Sequence, residues 1–339
     1  MHEPLIILDP HPRQAQALFD PAQRARLERL GRVIDCDSRT DPAGFDGLLP
    51  DAVAILGQPD LPAARLARAT ELRALVNVEG NFLPNVDYAA CFDAGVAVLS
   101  IAPAFAVPVA ELAVALALDL ARGVTAADRA MREGSELYGS KGGAHARLVS
   151  RSRVGIIGYG AIGRAIRRLL DGFRCTVTVY DPWLPAGVLQ DDDVVPRGLE
   201  DLLDESDVIF VSAAVTTDNA HLLGRAELER LRPEQMLVLA SRAGVVDFEA
   251  LVDLVDQGRF RAATDVFPTE PVEADDRVRH SRLLLSPHRG GGMRAALATA
   301  AEMILDDLDL ILRGLPPVRL QPARRETILR LRSAPASYR

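Results

Sequence analysis

The 339 residues predict a two-domain α/β chain built on doubly wound parallel sheets. Three observations carry that expectation. The chain is longer than one ordinary core holds, so two domains with a cleft are favoured. Short β-branched runs alternate with helical stretches through the first hundred residues, and the rhythm restarts near residue 153. A glycine-rich turn follows the first strand of that second series.

In order, runs at residues 5–8, 33–36, 52–56, 74–78 and 96–99 alternate with helical stretches at 21–30, 63–69 and 86–94. Residues 109–122 are apolar almost all round, with Pro108 able to open a helix and Gly123 able to close it, which suits a helix between layers or lobes. Residues 125–151 carry glycine, serine and charge without a strong period and read as a surface excursion. Strands are then expected at 153–157, 176–180, 208–211, 236–239, 261–266 and 283–285. Helices are expected at 162–170, 199–203, 225–231 and 248–257. A last helix at 293–313, ended by Gly314, is long enough to return to the first lobe. The expected domains are thus 1–100 with 296–339, and 101–295.

Composition removes several functions. The formal net charge is -8, with both signs mixed along the chain, so there is no footprint for nucleic acid. Lys141 is the only lysine and lacks the phosphate loop that precedes a Walker lysine. Cys36, Cys91 and Cys175 are widely spaced, which suggests neither a disulfide framework nor a metal site. The apolar tract at 96–121 is interrupted by Pro103, Pro108, Glu111 and Asp119, against a membrane span, and no leader pattern opens the sequence. A cytoplasmic protein is expected.

Gly158-Tyr159-Gly160-Ala161-Ile162-Gly163 lies directly after an apolar strand and directly before a helix. The first glycine permits the turn, the second lets backbone approach a pyrophosphate, and the third lets helix and strand pack closely. The helix N-terminus offers unpaired N–H groups to phosphates. Asp181 ends the next strand, where an acid bonds the adenosine ribose and repels a 2'-phosphate. Pro182, Trp183 and Leu184 supply no arginine for such a phosphate, so the cofactor expected of this Rossmann-type unit is NAD. Without a cofactor, the same glycines would simply close a turn.

Three further motifs stand at strand ends: Ala240-Ser241-Arg242-Ala243-Gly244, Asp265-Val266-Phe267-Pro268-Thr269-Glu270-Pro271, and Ser286-Pro287-His288. Alone, Arg242 reads as a surface ion pair, Glu270 as a solvated acid and His288 as a structural histidine. In this order, with the glycine motif and Val109-Ala110-Glu111, the chain resembles the D-isomer-specific 2-hydroxyacid dehydrogenases from about residue 80 to residue 314. The resemblance implies a smaller, flavodoxin-like α/β substrate domain beside the NAD-binding one. It also implies hydride transfer between nicotinamide and C2 of a small 2-oxo or 2-hydroxy acid, and a homodimer.

Carried onto this chain, the resemblance gives Arg242 the substrate carboxylate and His288 the proton that moves to or from the substrate oxygen. Glu270 pairs with His288 and raises its pKa, and Asp265 bonds the carboxamide. Cofactor contacts are further implied for Ala214, Asn219, Ala240, Arg242 and His288. The substrate loop Val78-Glu79-Gly80-Asn81-Phe82 is expected to receive the carboxylate on backbone N–H groups, with Glu79, Gly80 and Asn81 beside the substrate. His280 and the histidines at 2, 11, 145 and 221 are left as surface residues. The chain departs from the family pattern at Ala161, where many relatives carry a basic residue. It departs again at Ser212-Ala213-Ala214, in place of H-x-P, and at Phe82, in place of a glycine. Two other readings keep the fold: an NAD-sensing corepressor-like binding protein, and a dehydrogenase of phosphonate-type acids.

Overall fold

Near-continuous apolar strands, buried on both faces, assemble into parallel sheets covered by helices. The computed structural model describes residues 3–332; His2 lies outside them. In chain order the strands are β1 (Leu5–Asp9), β2 (Arg32–Asp35), β3 (Ala52–Gly57), β4 (Ala74–Asn77), β5 (Ala97–Ser100), β6 (Arg153–Ile157) and β7 (Thr176–Tyr180). They continue as β8 (Val195–Pro196), β9 (Val208–Val211), β10 (Met236–Leu239), β11 (Arg261–Thr264), β12 (Leu284–Leu285) and β13 (Gln321–Pro322). Two compact units result: Met1–Phe105 together with Met293–Arg339, and Ala106–Gly292.

The first unit has the sheet order β2-β1-β3-β4-β5-β13, parallel except for β13, which runs antiparallel to β5. This is the flavodoxin-like winding with one added edge strand, and its order reverses between β1 and β3. The helix Pro21–Leu30 starts at a capping box, Asp20 Oδ1 accepting from the Gln23 amide at 2.8 Å and Gln23 Oε1 accepting from the Asp20 amide at 3.2 Å. The helix Arg294–Leu312 buries Ile304, Leu305 and Leu308 against Ile6, Leu8, Leu56 and Val76, which makes this unit discontinuous in sequence. Asp307 on that helix is fully buried and accepts from the amides of Val318, Arg319 and Leu320, fixing the approach to β13.

The second unit is a seven-stranded parallel sheet of order β8-β7-β6-β9-β10-β11-β12. Its order reverses between β6 and β9, so the crevice beyond their carboxyl ends is where such a sheet presents ligands. The helix Ala106–Arg122 begins two residues before Pro108, which sits in its first turn. With the helical turn before it, the stretch Ala102–Arg122 is by length and hydropathy sufficient to cross a membrane, yet Ala110, Ala113 and Ala117 are buried in this unit's core against Val154, Ile156 and Val238.

One expectation is corrected. Residues 125–151 are not irregular throughout: Val124–Glu133 is a helix, bracketed by Gly123 and Gly134 in the left-handed region. Its first turn is tied down by Asp119, which accepts from the Thr125 amide at 2.9 Å. None of its residues is buried: its apolar positions, Val124, Ala127 and Met131, recur at helical spacing but are few among charged residues, and Val124 and Met131 face solvent.

Candidate active site

The glycine turn follows β6, and each glycine meets a different constraint. Gly158 has φ +85°, and a Cβ there would lie 2.4 Å from the Cα of Ala213, the backbone that leaves β9. A Cβ on Gly163 would meet the Gly158 carbonyl oxygen at 2.5 Å. A Cβ on Gly160 would meet nothing within 4 Å, so open space stands over the N-terminus of the helix Ala161–Leu169. Two glycines are therefore demanded by packing, and the third leaves room for a phosphate at unpaired N–H groups.

Tyr159, expected beside the cofactor, turns its ring into the core at 1% exposure, under the Arg164 guanidinium. What it offers is its backbone N–H, given to Asp181 Oδ2 at 2.8 Å. Asp181 Oδ1 accepts from the Trp183 amide at 2.9 Å, so the carboxylate is fixed at the end of β7 with lone pairs remaining for a ribose. A cavity of about 170 Å³ adjoins it, lined among others by Val179, Pro182, Leu189 and Arg197. Sequence reasoning passed over Arg197 because it follows β8, outside the local motif.

Ser212 replaces the histidine of the family pattern, and its hydroxyl donates to the Gly158 carbonyl at 2.6 Å, tying the loop after β9 to the glycine turn. Asn219 was expected to face the cofactor. Its side-chain amide closes its own loop instead, Nδ2 donating to the Ala214 carbonyl at 2.7 Å and Oδ1 accepting from the Thr216 amide at 2.7 Å. Ala240 leaves β10 with its amide bonded to Val211. The next residue, Ser241, has a buried hydroxyl with no partner among the described residues.

Arg242 follows in extended backbone, exposed, with Nη1 donating to the Ser241 carbonyl at 2.8 Å. His288 and Glu270 come together across 18 residues of sequence: Nδ1 lies 2.5 Å from Glu270 Oε2. Glu270 Oε1 accepts from the Phe267 amide at 2.9 Å, which orients the carboxylate. Burial alone would push Glu270 up. The hydrogen bond with His288, that of the Phe267 amide, and the charges of His288 and Arg242 outweigh it and hold the carboxyl below its ordinary range. Ionised Glu270 favours the His288 tautomer with the proton on Nδ1, leaving Nε2 for chemistry. His288 itself has φ +49°, a conformation a non-glycine residue adopts at a cost and which surrounding contacts must hold.

Those contacts come from Asp265. Expected as a nicotinamide contact, it is 2% exposed and accepts from Ser286 Oγ at 2.6 Å, the Arg289 amide at 2.8 Å and the Gly290 amide at 2.8 Å. Its visible work is to pin the histidine loop; a carboxamide contact would use a remaining lone pair.

In the first unit, the loop at 78–82 also differs from expectation. The Glu79 amide, and more weakly that of Asn81, donate to Asn77 Oδ1 at 2.9 and 3.4 Å, so these two are already used within the loop. Gly80, at φ +76°, is packed beneath Phe105. The Glu79 carboxylate pairs with Arg13 at 2.7 Å. His11, His145, His221 and His280 are exposed, as expected.

The family model for the D-isomer specific 2-hydroxyacid dehydrogenase NAD-binding domain matches residues 114–290. This chain belongs to that family. Its second unit is the family's NAD-binding domain, and the open space at Gly160 and the fixed Asp181 fit the pyrophosphate and the ribose of NAD. The chain is 30% identical to the D-3-phosphoglycerate dehydrogenase of Mycobacterium tuberculosis over 265 residues, 78% of this chain and 49% of that one. It is 29% identical to the glyoxylate reductase of Korarchaeum cryptofilum over 306 residues, covering 88% and 86%. A phosphoglycerate oxidoreductase from Rhizobium etli superposes with a TM-score of 0.86 at 43% identity, covering 96% and 99%. The chain spans about half the length of the phosphoglycerate dehydrogenases it matches.

Proposed function

We propose that this protein is an NAD-dependent dehydrogenase of small 2-hydroxy acids. The observation that carries the reading is the 2.5 Å contact of His288 Nδ1 with Glu270 Oε2 in the NAD-binding unit, on loops that follow β12 and β11. The cofactor, when bound, would supply the hydride to C2 as NADH and accept it from C2 as NAD+. Arg242 binds the substrate carboxylate, its planar fork matching two oxygens. His288, doubly protonated, gives the Nε2 proton to the substrate oxygen in the reducing direction and takes it back in the oxidising one. Glu270 holds the ring at Nδ1 throughout and stabilises its charged form. Asp265 keeps the histidine loop in its left-handed turn.

The test is oxidation of NADH with glyoxylate, hydroxypyruvate, 3-phosphohydroxypyruvate and longer 2-oxo acids. Turnover of at least one supports the reading; NADH binding with no turnover of any would instead favour a sensing role. We also propose that the chain pairs with a second copy of itself, since Met131, Leu137, Tyr138 and Leu148 are exposed apolar side chains in one stretch of the second unit. Light scattering at micromolar concentration checks this: twice the chain mass is expected, and a monomer contradicts it.

A further inference from the structure

The peptide plane between Gly158 and Tyr159 is held at both of its ends. Because a peptide unit is planar, its C=O and N–H turn as one rigid body. The carbonyl of this plane, that of Gly158, accepts from the Ser212 hydroxyl at 2.6 Å. The N–H of the same plane, that of Tyr159, donates to Asp181 Oδ2 at 2.8 Å. Ser212, Gly158 and Asp181 directly follow β9, β6 and β7, so one line of hydrogen bonds crosses three adjacent strand ends, all within the second unit.

The Ser212 hydroxyl stands where the family pattern has a histidine, and it has two acceptors within reach. The Ile157 carbonyl is 3.4 Å away and already takes the Ser212 amide at 2.9 Å, so the Gly158 carbonyl is the short contact. Ser212 is buried, and solvent competes little for this bond. Gly158, at φ +85°, has no side chain to restrict the turn, and the hydrogen bond from Ser212 supplies the restriction instead. A carbonyl that accepts a hydrogen bond also polarises its own plane, which strengthens the N–H at the other end. Asp181 receives that N–H. Its other anchor, the Trp183 amide, belongs to its own loop, so the Tyr159 amide is what ties the carboxylate to the glycine turn.

We propose that Ser212 is a positioning residue for cofactor choice: through the Gly158–Tyr159 plane it holds the Asp181 carboxylate where it bonds a ribose hydroxyl and repels a 2'-phosphate. The inference rests on Asp181 meeting the ribose. The readout is binding, with dissociation constants for NADH and NADPH measured by fluorescence titration on wild type, S212A, S212T, D181A and the double variant S212A/D181A. Melting curves on the same preparations establish that each is folded. Wild type should prefer NADH by at least roughly tenfold. In S212A, NADH should weaken roughly 3- to 10-fold, the size of one net hydrogen bond, while NADPH changes less, so the preference narrows. S212T keeps the hydroxyl and should keep the wild-type preference. In the D181A background S212A should narrow the preference no further, because the two residues act along one line. Equal weakening of both dinucleotides in S212A, or a further narrowing in the double variant, would mean that Ser212 only shapes the phosphate turn, and would overturn the inference. NADH affinity unchanged in S212A, or a folded S212T that behaves as S212A, would overturn it as well. Equal wild-type affinities for NADH and NADPH would overturn the ribose assignment of Asp181 and the inference together.

Discussion

Asp265 grips the chain on both sides of His288, a side-chain hydroxyl before it and two backbone amides after it. One of its oxygens takes the Ser286 hydroxyl and the Arg289 amide, and the other takes the Gly290 amide. Between these anchors His288 is carried at φ +49° with its Nδ1 turned to Glu270. The buried acid and the reactive imidazole therefore form one unit, in which the first sets the position of the second. Asp265→Asn keeps the volume but presents an NH₂ group where a carboxylate oxygen accepts N–H. We expect a loss of about 1–3 kcal/mol in stability and a larger fractional loss in kcat than in NADH affinity. Thermal unfolding and NADH fluorescence titration of the variant check this; wild-type kcat would contradict it.

The three glycines of the turn separate folding from binding. Gly158→Ala and Gly163→Ala place a Cβ 2.4 and 2.5 Å from backbone atoms, and should lower Tm. Gly160→Ala meets nothing within 4 Å and should melt close to wild type while binding NADH at least tenfold more weakly, on the order of a lost phosphate contact. Melting curves and NADH titrations of all three distinguish the two effects. Unchanged NADH affinity in Gly160→Ala would contradict the phosphate assignment.

Glu270 gives a pH dependence of defined sign. Its folded-state pKa lies below the ordinary 4.5, so near that pH the unfolded chain binds more protons at this group than the folded one does. The stabilisation it brings is complete above the unfolded value and disappears as pH falls through the lower folded value. Glu270→Gln removes this dependence. The Tm gap between wild type and variant should narrow on going from pH 7 to below pH 4, and kcat of the variant at pH 7 should fall roughly tenfold or more. A gap that widens in acid would contradict the assigned sign.

Much of this was legible in the sequence because the relevant residues face constraints that residue type reveals. The glycine turn is such a case: φ +85° at Gly158 and the crowding at Gly163 exclude side chains whatever surrounds them. Asp181, Arg242, Glu270 and His288 each follow an apolar run, and parallel strands place their ends on one edge. Other features depend on contacts that no local pattern encodes. The helix Val124–Glu133 buries none of its residues, and its short stripe of Val124, Ala127 and Met131 stands among glycine, serine and charge that read as a surface excursion. Asn77 was read only as part of the run at 74–78, yet its side chain takes the amides expected to await the substrate. Tyr159 and Asn219 belong to the expected segments, but the ring of one lies in the core and the amide of the other closes its own loop. Arg13 lies 66 residues before Glu79, and only the winding of the first sheet brings them together.

The most direct test of the proton-transfer role is His288→Gln, with NADH binding and turnover measured on the same preparation. Turnover of the best 2-oxo acid should fall by roughly 10²- to 10⁴-fold while the NADH dissociation constant stays within about threefold of wild type, since glutamine keeps a polar group beside the cofactor and removes the proton that His288 moves. Turnover near the wild-type rate would contradict the account.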